Sequence, residues 1–187
     1  MSLPFYTIGH STRSVDEFVQ LLRVAGVTLI ADIRTVPKSR TNPQYNKDTL
    51  PEALATFQIG YEHIAELGGL RGKTQMAPPE VNGFWDNQSF HNYADYAAFS
   101  ETFLSGLDRL IAIGRERRCA MMCSEAVWWR CHRRIVADHL IARGETVFHL
   151  MGADRIVPAL LTKGAHIQPS GTVVYPAQKS EPSGNHN

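Results

Sequence analysis

Short apolar runs alternate along this chain with segments in which apolar residues recur at helical spacing. The runs predict strands at residues 5–8, 27–33, 60–64, 119–123 and 146–151. The periodic segments predict helices at residues 14–25, 47–57, 93–115 and 130–143. Because the runs at 27–33 and 119–123 are continuous, they are typical of strands buried on both faces.

Alternating strands and helices indicate βαβ units, which predict a Rossmann-like α/β fold: a three-layer sandwich around a mainly parallel sheet. We expect a single domain over residues 1–176 and a polar, disordered tail over residues 177–187. The Gly-, Pro- and Asn-rich segment 68–92 is too long for an ordinary connection. It is either a lid or binding loop, or a surface excursion held by its aromatic residues.

The composition narrows the class of protein. The 187 residues carry a formal net charge of +1, so the protein as a whole has no strong electrostatic attraction to nucleic acid or to an anionic membrane. Nucleic acid is therefore a possible partner without support from charge, and no membrane partner is expected. Three cysteines do not make a disulfide framework, no apolar run approaches the ~20 residues of a membrane span, and the first residues lack a signal-peptide pattern. We expect a soluble protein of a reduced, cytoplasmic compartment.

Polar motifs follow three of the predicted strands. In a parallel sheet the carboxyl ends of the strands share one edge, and ligands bind there. The topology is therefore expected to bring together residues that are far apart in sequence. They are Gly9, His10 and Ser11 after the first strand, Asp32 and Arg34 after the second, Cys123 and Glu125 after the fourth, and Cys131, His132 and Arg133 at the start of the last helix.

Arginines are the strongest indication of a ligand class. Four of them lie near the presumed ligand edge: Arg34, Arg40, Arg71 and Arg133. A guanidinium often binds phosphate and carboxylate groups, because it can donate two parallel hydrogen bonds to them. Ion pairs with the nearby carboxylates are the alternative, but they would still leave an excess of positive charge. We therefore favour a pocket for a small anionic ligand or a nucleotide, to which Gly9, His10, Ser11 and Cys131 would contribute.

Four residues are candidates for the chemistry: Asp32, Cys123, Glu125 and His132. The carboxylates could act as general base or acid together with His132, or could serve only the arginines. Cys123 could be a nucleophile or redox thiol if a cation stabilises its thiolate, or a small apolar residue at a buried strand end. Because Glu125 opposes the thiolate, we expect Cys123 to be hydrogen-bonded or packed rather than strongly activated.

Other cysteine chemistries fit the spacing less well. The interval from Cys123 to Cys131 is not a Cys-x-x-Cys redox motif. Six residues without a glycine separate Cys123 from Arg130, which differs from a rhodanese or cysteine-phosphatase loop. Zinc could use the two cysteines with His132 or His10, but structural zinc sites show tighter pairs. No metal ligands are therefore predicted, and the sequence identifies no cofactor.

Five spaced motifs, in order, resemble one known family. They are Thr7-Ile8-Gly9-His10-Ser11, Asp32-x-Arg34-x-x-Pro37-x-Ser39-Arg40, Leu67-Gly68-Gly69-x-Arg71, Cys123-x-Glu125 and Cys131-His132-Arg133. Over about residues 5–176 the chain resembles the domain-of-unknown-function 488 family. The resemblance implies a compact α/β domain with these motifs as its signature, and it implies no particular reaction.

The residues favour an enzyme, a hydrolase or transferase that acts on a phosphorylated, nucleotide-like or nucleic-acid-derived substrate. In this interpretation Asp32 or Glu125 moves protons with His132, and the anion is held by Arg34, Arg40 and Arg133. The first alternative is thiol chemistry through Cys123, of a rhodanese-like or redox kind. The second is a non-catalytic sensor of the same anionic ligand. The sequence leaves these alternatives open.

Overall fold

A six-stranded sheet forms the centre of the computed structural model, which describes residues 2–152 and 154–179. Its strands are β1 (Phe5–Gly9), β2 (Leu29–Asp32), β3 (Gly60–His63), β4 (Cys119–Cys123), β5 (Val147–Gly152) and β6 (Arg155–Pro158). Their order across the sheet is β3-β2-β4-β1-β5-β6. All neighbours are parallel except β6, which returns antiparallel to β5. The prediction of a Rossmann-like α/β fold is confirmed.

In the described part of the chain, five α-helices cover the sheet: α1 (Val15–Val24), α2 (Leu50–Ala55), α3 (Gln88–Phe99), α4 (Glu101–Glu116) and α5 (Arg133–Ala142). The first of these begins as the sequence predicts, since Ser14 Oγ accepts a hydrogen bond from the Glu17 backbone N–H at 3.2 Å. Its apolar side, with Phe18 and Leu22, is buried against the sheet. The α/β layering therefore follows from the same periodicity that predicted the helices.

The predicted helix over 93–115 is wrong as a single element. The chain forms α3 and α4 instead, and they meet at Ser100, whose backbone is extended with φ −95° and ψ 126°. Serine favours helix ends, because its hydroxyl competes for backbone hydrogen bonds within a helix. The predicted helix over 130–143 is also shorter in the structure, where a 3₁₀ turn (Trp128–Arg130) precedes α5.

Two apolar cores lie on opposite faces of the sheet. One gathers side chains from α3, α4 and α5 around Phe5 and Met121, and the other gathers α1 and α2 around Ile8 and Ile30. All residues of β1, β2 and β4 are buried. This confirms that the continuous apolar runs are strands covered on both faces.

The segment over 68–92 ends in the first turn of α3, and its second half is firmly packed. Trp85 stacks on Phe90 with ring centroids 4.9 Å apart and meets the Tyr175 ring edge-on at 5.1 Å. Asn82 is fully buried and donates to Asp95 Oδ1 at 2.7 Å. These contacts hold the aromatic part of the segment against the core, and its lid role stays a prediction.

The C-terminal part of the chain adds one small pair of strands. A small antiparallel pair, β7 (His166–Ile167) and β8 (Val173–Val174), packs beside α3 and α5. Most of the tail expected to be disordered, residues 180–187, lies outside the described residues. Within the described ranges, no helix is long and apolar enough to cross a membrane.

His139 of α5 should make the fold sensitive to acid. It is 3% exposed, packs edge-on against Phe103, and its Nε2 has no hydrogen-bond partner among the described residues. Burial, with a smaller effect of Arg143, lowers the pKa of His139 from 6.5 to about 3. Because only the unfolded chain takes up this proton, the contribution of His139 to the free energy of unfolding should decrease as the pH falls from 6.5 to about 3, and this contribution should change no further below that.

The test is urea unfolding across that pH range. His139→Leu should remove a slope of at most about 1.4 kcal/mol per pH unit from the free energy of unfolding. The exposed His166 provides the matched control as His166→Leu, which should leave the slope unchanged. Equal slopes in wild type and His139→Leu would contradict the assignment.

Candidate functional site

A cleft of about 580 Å³ opens where β1, β2 and β4 end. The parallel register places Gly9 beside Cys123 and Asp32 beside Met122, so the polar residues after these strands meet at this edge. The structure brings eight of the predicted or motif residues to the cleft lining: His10, Arg34, Ser39, Gly69, Cys123, Glu125, Cys131 and His132. Gly9, Ser11, Asp32, Arg40, Arg71 and Arg133 are not in its lining.

A buried ion pair forms one side of the cleft. Arg34 donates from Nε to Asp32 Oδ1 at 2.9 Å and from Nη2 to Asp32 Oδ2 at 2.7 Å, and Asp32 is fully buried. The Tyr61 hydroxyl also donates to Asp32, and Arg34 Nη2 reaches the Tyr45 carbonyl oxygen at 2.6 Å. Burial alone would lower the pKa of Arg34, but the hydrogen bond and charge of Asp32 raise it. Arg34 therefore stays charged and most of its positive charge is compensated.

His10 is fixed in one neutral form beside this pair. Its Nδ1 donates to the Ser11 carbonyl oxygen at 2.8 Å, so its Nε2 accepts from Arg34 Nη1 at 3.2 Å. Its ring stacks on Tyr45 with centroids 4.2 Å apart. Burial lowers the pKa of His10, against a smaller opposing effect of the hydrogen bond to Ser11. His10 is thus an uncharged part of the cleft wall.

Two thiols and an imidazole form the cleft floor. His132 Nδ1 lies 3.9 Å from Cys123 Sγ and 3.6 Å from Cys131 Sγ. The other ring nitrogen, Nε2, donates to the Ile33 carbonyl oxygen at 2.9 Å, which turns Nδ1 toward the sulfurs. Gly69 packs against this ring, and a β-carbon there would lie 2.5 Å from Nδ1. The cluster is therefore held from both sides.

The two thiols differ in acidity. A hydrogen bond from Cys131 lowers the pKa of Cys123 well below its usual value; burial opposes this, and His132 lowers it further. Burial raises the pKa of Cys131, and its hydrogen bond to Cys123 adds to the rise. The Glu125 side chain, which was expected to oppose the thiolate, is exposed, whereas His132 contacts the Cys123 sulfur. The lowered pKa of Cys123 runs against the expected weak activation, which stays a prediction.

Arg133 supports the loop that carries Cys123 toward α5. It is fully buried, and its Nη1 donates to the Glu125 carbonyl oxygen at 2.6 Å and its Nη2 to that of Ala126 at 3.2 Å. The loop lies directly on β1, since a β-carbon at Gly9 would overlap the Glu125 carbonyl oxygen. Gly9 is therefore required by a close approach of two backbone segments.

The other arginines have different surroundings. Arg71 donates to the carbonyl oxygens of Gly68 and Ala65 and lies 3.9 Å above the Tyr96 ring, so it holds its own loop. Arg40 is exposed and outside the cleft lining. The cations at the cleft rim are Lys38 and Arg130, both exposed.

Sequence reasoning missed the two tyrosines that complete the Asp32–Arg34 pair. Tyr61 lies opposite Ile30 in the register of β2 with β3, one strand-width from Asp32. The predicted strand over 60–64 was the signal that could have placed it near the site. Tyr45 ends a short 3₁₀ turn (Pro43–Tyr45), and no periodic pattern marks its position.

Most of the motifs lie in a part of the chain that matches a known protein family. The family described as Domain of unknown function DUF488 matches residues 14–140, which is more than half of the chain. The chain belongs to the DUF488 family. No curated protein and no solved structure matches it. The part that matches DUF488 includes Arg34, Gly69 and the whole Cys123–Cys131–His132 cluster, whereas Gly9 and His10 precede it.

The DUF488 chain should depend strongly on its buried ion pair. Asp32→Ala leaves the guanidinium of Arg34 buried without its carboxylate, so we expect a loss of about 3–5 kcal/mol in the free energy of unfolding. The matched control is the partly exposed pair of Glu62 and Arg109, whose N–O distance is 2.9 Å. Glu62→Ala should cost less than about 1 kcal/mol. Urea unfolding at neutral pH measures both, and similar losses in the two variants would refute the claim.

Proposed function

We propose that this protein is an enzyme in which Cys123 is the nucleophile and the substrate is a small anion. The observation that carries the proposal is the meeting of Cys123 Sγ, Cys131 Sγ and His132 Nδ1 within 4.8 Å of one another on the floor of the cleft. A thiolate is reactive when a hydrogen-bond donor or cation stabilises it. Cys131 and His132 supply that stabilisation.

The rim of the cleft favours an anionic substrate. Lys38 and Arg130 are the exposed cations of the lining, whereas Arg34 is compensated by Asp32. A phosphorylated or nucleotide-like molecule fits this charge, and the apolar faces of Leu70 and Phe90 in the lining suit a flat, weakly polar group. The Arg-rich pocket expected from the sequence becomes, in this proposal, a cleft with the exposed cations Lys38 and Arg130 in its lining.

The reaction is hydrolysis or group transfer through a covalent intermediate. His132 Nδ1 first takes the proton of Cys123. Cys123 Sγ then forms a bond to the electrophilic phosphorus or carbon as the bond to the leaving group breaks, and the leaving group takes that proton from His132 Nδ1. Water or an acceptor then attacks the same atom, releases the thiolate and returns its proton to His132. Asp32 holds Arg34 in place, and Glu125 lies at the rim of the cleft and takes no direct part in the reaction.

Alkylation of the native protein at pH 7, with EDTA present, tests the nucleophile. Iodoacetamide should modify Cys123 first, and His132→Ala should slow this by about 10-fold because the thiolate loses its partner. Cys119 is the internal control: burial raises its pKa to about 12, so it should react only after unfolding. Peptide mass spectrometry assigns each site.

The charge of the reagent tests the substrate class. Iodoacetate resembles iodoacetamide in size but is negative, so Lys38→Gln combined with Arg130→Gln should lower its rate relative to iodoacetamide by about threefold or more. An unchanged ratio would refute the anionic substrate. Modification of Cys123 only after unfolding would refute the nucleophile and would favour a non-catalytic sensor of anions.

A further inference from the structure

We propose that Cys123, Cys131 and His132 form a zinc site whose fourth coordination position opens into the cleft. The site stands on the geometry of these side chains and does not depend on the proposed function. Only its consequence, that zinc silences the nucleophile, rests on that function.

The separations of the three ligand atoms fit one tetrahedral ion. Zn–S bonds of about 2.3 Å and a Zn–N bond of about 2.0 Å place sulfur and nitrogen about 3.5 Å apart and the two sulfurs about 3.8 Å apart. The structure has 3.9 Å and 3.6 Å from His132 Nδ1 to the two sulfurs, and all three atoms lie within 4.8 Å of one another. The two sulfur–nitrogen distances therefore lie within a few tenths of an ångström of the tetrahedral value.

The surroundings orient the imidazole as a metal ligand. Metal-bound histidines usually donate their second ring N–H to a carboxylate or a backbone carbonyl, which fixes the tautomer. His132 Nε2 donates to the Ile33 carbonyl oxygen, so the lone pair of Nδ1 faces the sulfurs. Gly69 leaves the space beside Nδ1 free of a side chain.

The donor set favours zinc over harder cations. Two thiolates with one imidazole suit soft or borderline ions, and Mg²⁺ and Ca²⁺ prefer oxygen ligands. Both cysteines are buried, and with His132 they line the cleft. Three protein ligands with one open position are typical of zinc sites that exchange a water or a ligand, whereas closed structural sites have four.

Zinc and the covalent chemistry exclude each other. On binding, Zn²⁺ displaces the thiol protons that remain on the two cysteines, and the Zn–S bond uses the lone pair with which Cys123 would attack. The zinc-bound protein should therefore be unreactive toward alkylating agents, and removal of zinc should restore the reaction.

The binding test uses the full chain, stripped with EDTA and desalted, and titrated with Zn²⁺ against a chromogenic chelator. We expect one ion per chain, lost in Cys123→Ser, Cys131→Ser and His132→Gln and retained in the matched control Cys119→Ala. Co²⁺ should show the intense visible bands of a tetrahedral thiolate site. No zinc binding by wild type, or full binding by all three ligand variants, would overturn the proposal.

Gly69→Ala tests the geometry with every ligand in place. Its β-carbon would press on Nδ1, so zinc affinity should fall at least 10-fold while the thermal unfolding midpoint reports whether the variant is folded. Unchanged affinity in folded Gly69→Ala would contradict the assigned role of Nδ1.

The two proposals fail separately. Rapid alkylation of Cys123 in EDTA without zinc binding would overturn the zinc site alone. Zinc binding together with a slow reaction in EDTA would overturn the nucleophile alone. If zinc binds to wild type and alkylation of Cys123 continues at its EDTA rate, the predicted silencing is wrong.

Discussion

Arg133 is fully buried, and its guanidinium donates to the carbonyl oxygens of Glu125 and Ala126 and to the hydroxyl of Thr7. These partners are neutral, so the charge is stabilised by oriented dipoles rather than by a carboxylate. The loop between β4 and α5 is bound to β1 through this residue. Because that loop joins Cys123 to Cys131 and His132, the spacing of the whole cluster depends on a cation that does not line the cleft.

The second buried guanidinium, that of Arg34, also makes mainly contacts that support the structure. Asp32 compensates its charge, and Tyr45 and His10 accept hydrogen bonds from two of its three remaining N–H groups. The positive charge left for a ligand is therefore at the rim, on Lys38 and Arg130, above a floor of sulfur and imidazole. Under the proposed function, an anionic substrate would meet these cations before it reaches Cys123.

The sequence predicted the sheet and the convergence of the motifs because both follow from simple constraints. Buried parallel strands require continuous apolar runs, and their carboxyl ends necessarily share an edge. It could not assign the arginines, because the partners of Arg71 and Arg133 are backbone carbonyls, which no side-chain pattern encodes. The surroundings of the Cys123 sulfur were not foreseen for a related reason: Glu125 is near in sequence, but its side chain is exposed, and His132 contacts the sulfur instead.

The prediction of secondary structure failed where the local preferences of the residues compete with tertiary packing. The apolar spacing through 93–115 continues across Ser100, yet the chain turns there. The short antiparallel β6 was not predicted, since an edge strand whose residues are largely exposed lacks the apolar run that marks the central strands. Such elements are defined by their neighbours more than by their own residues.

The close approach at Gly9 has a consequence for how the cluster could change over time. The distance between the sulfurs and the imidazole is set by how deeply the loop after β4 settles onto the bare backbone of β1. Any side chain at position 9 would push the loop away from β1 and move Cys131 and His132 relative to Cys123, although these three residues themselves would be unchanged. The spacing of these three side chains can thus be altered at a residue that has no functional group at all.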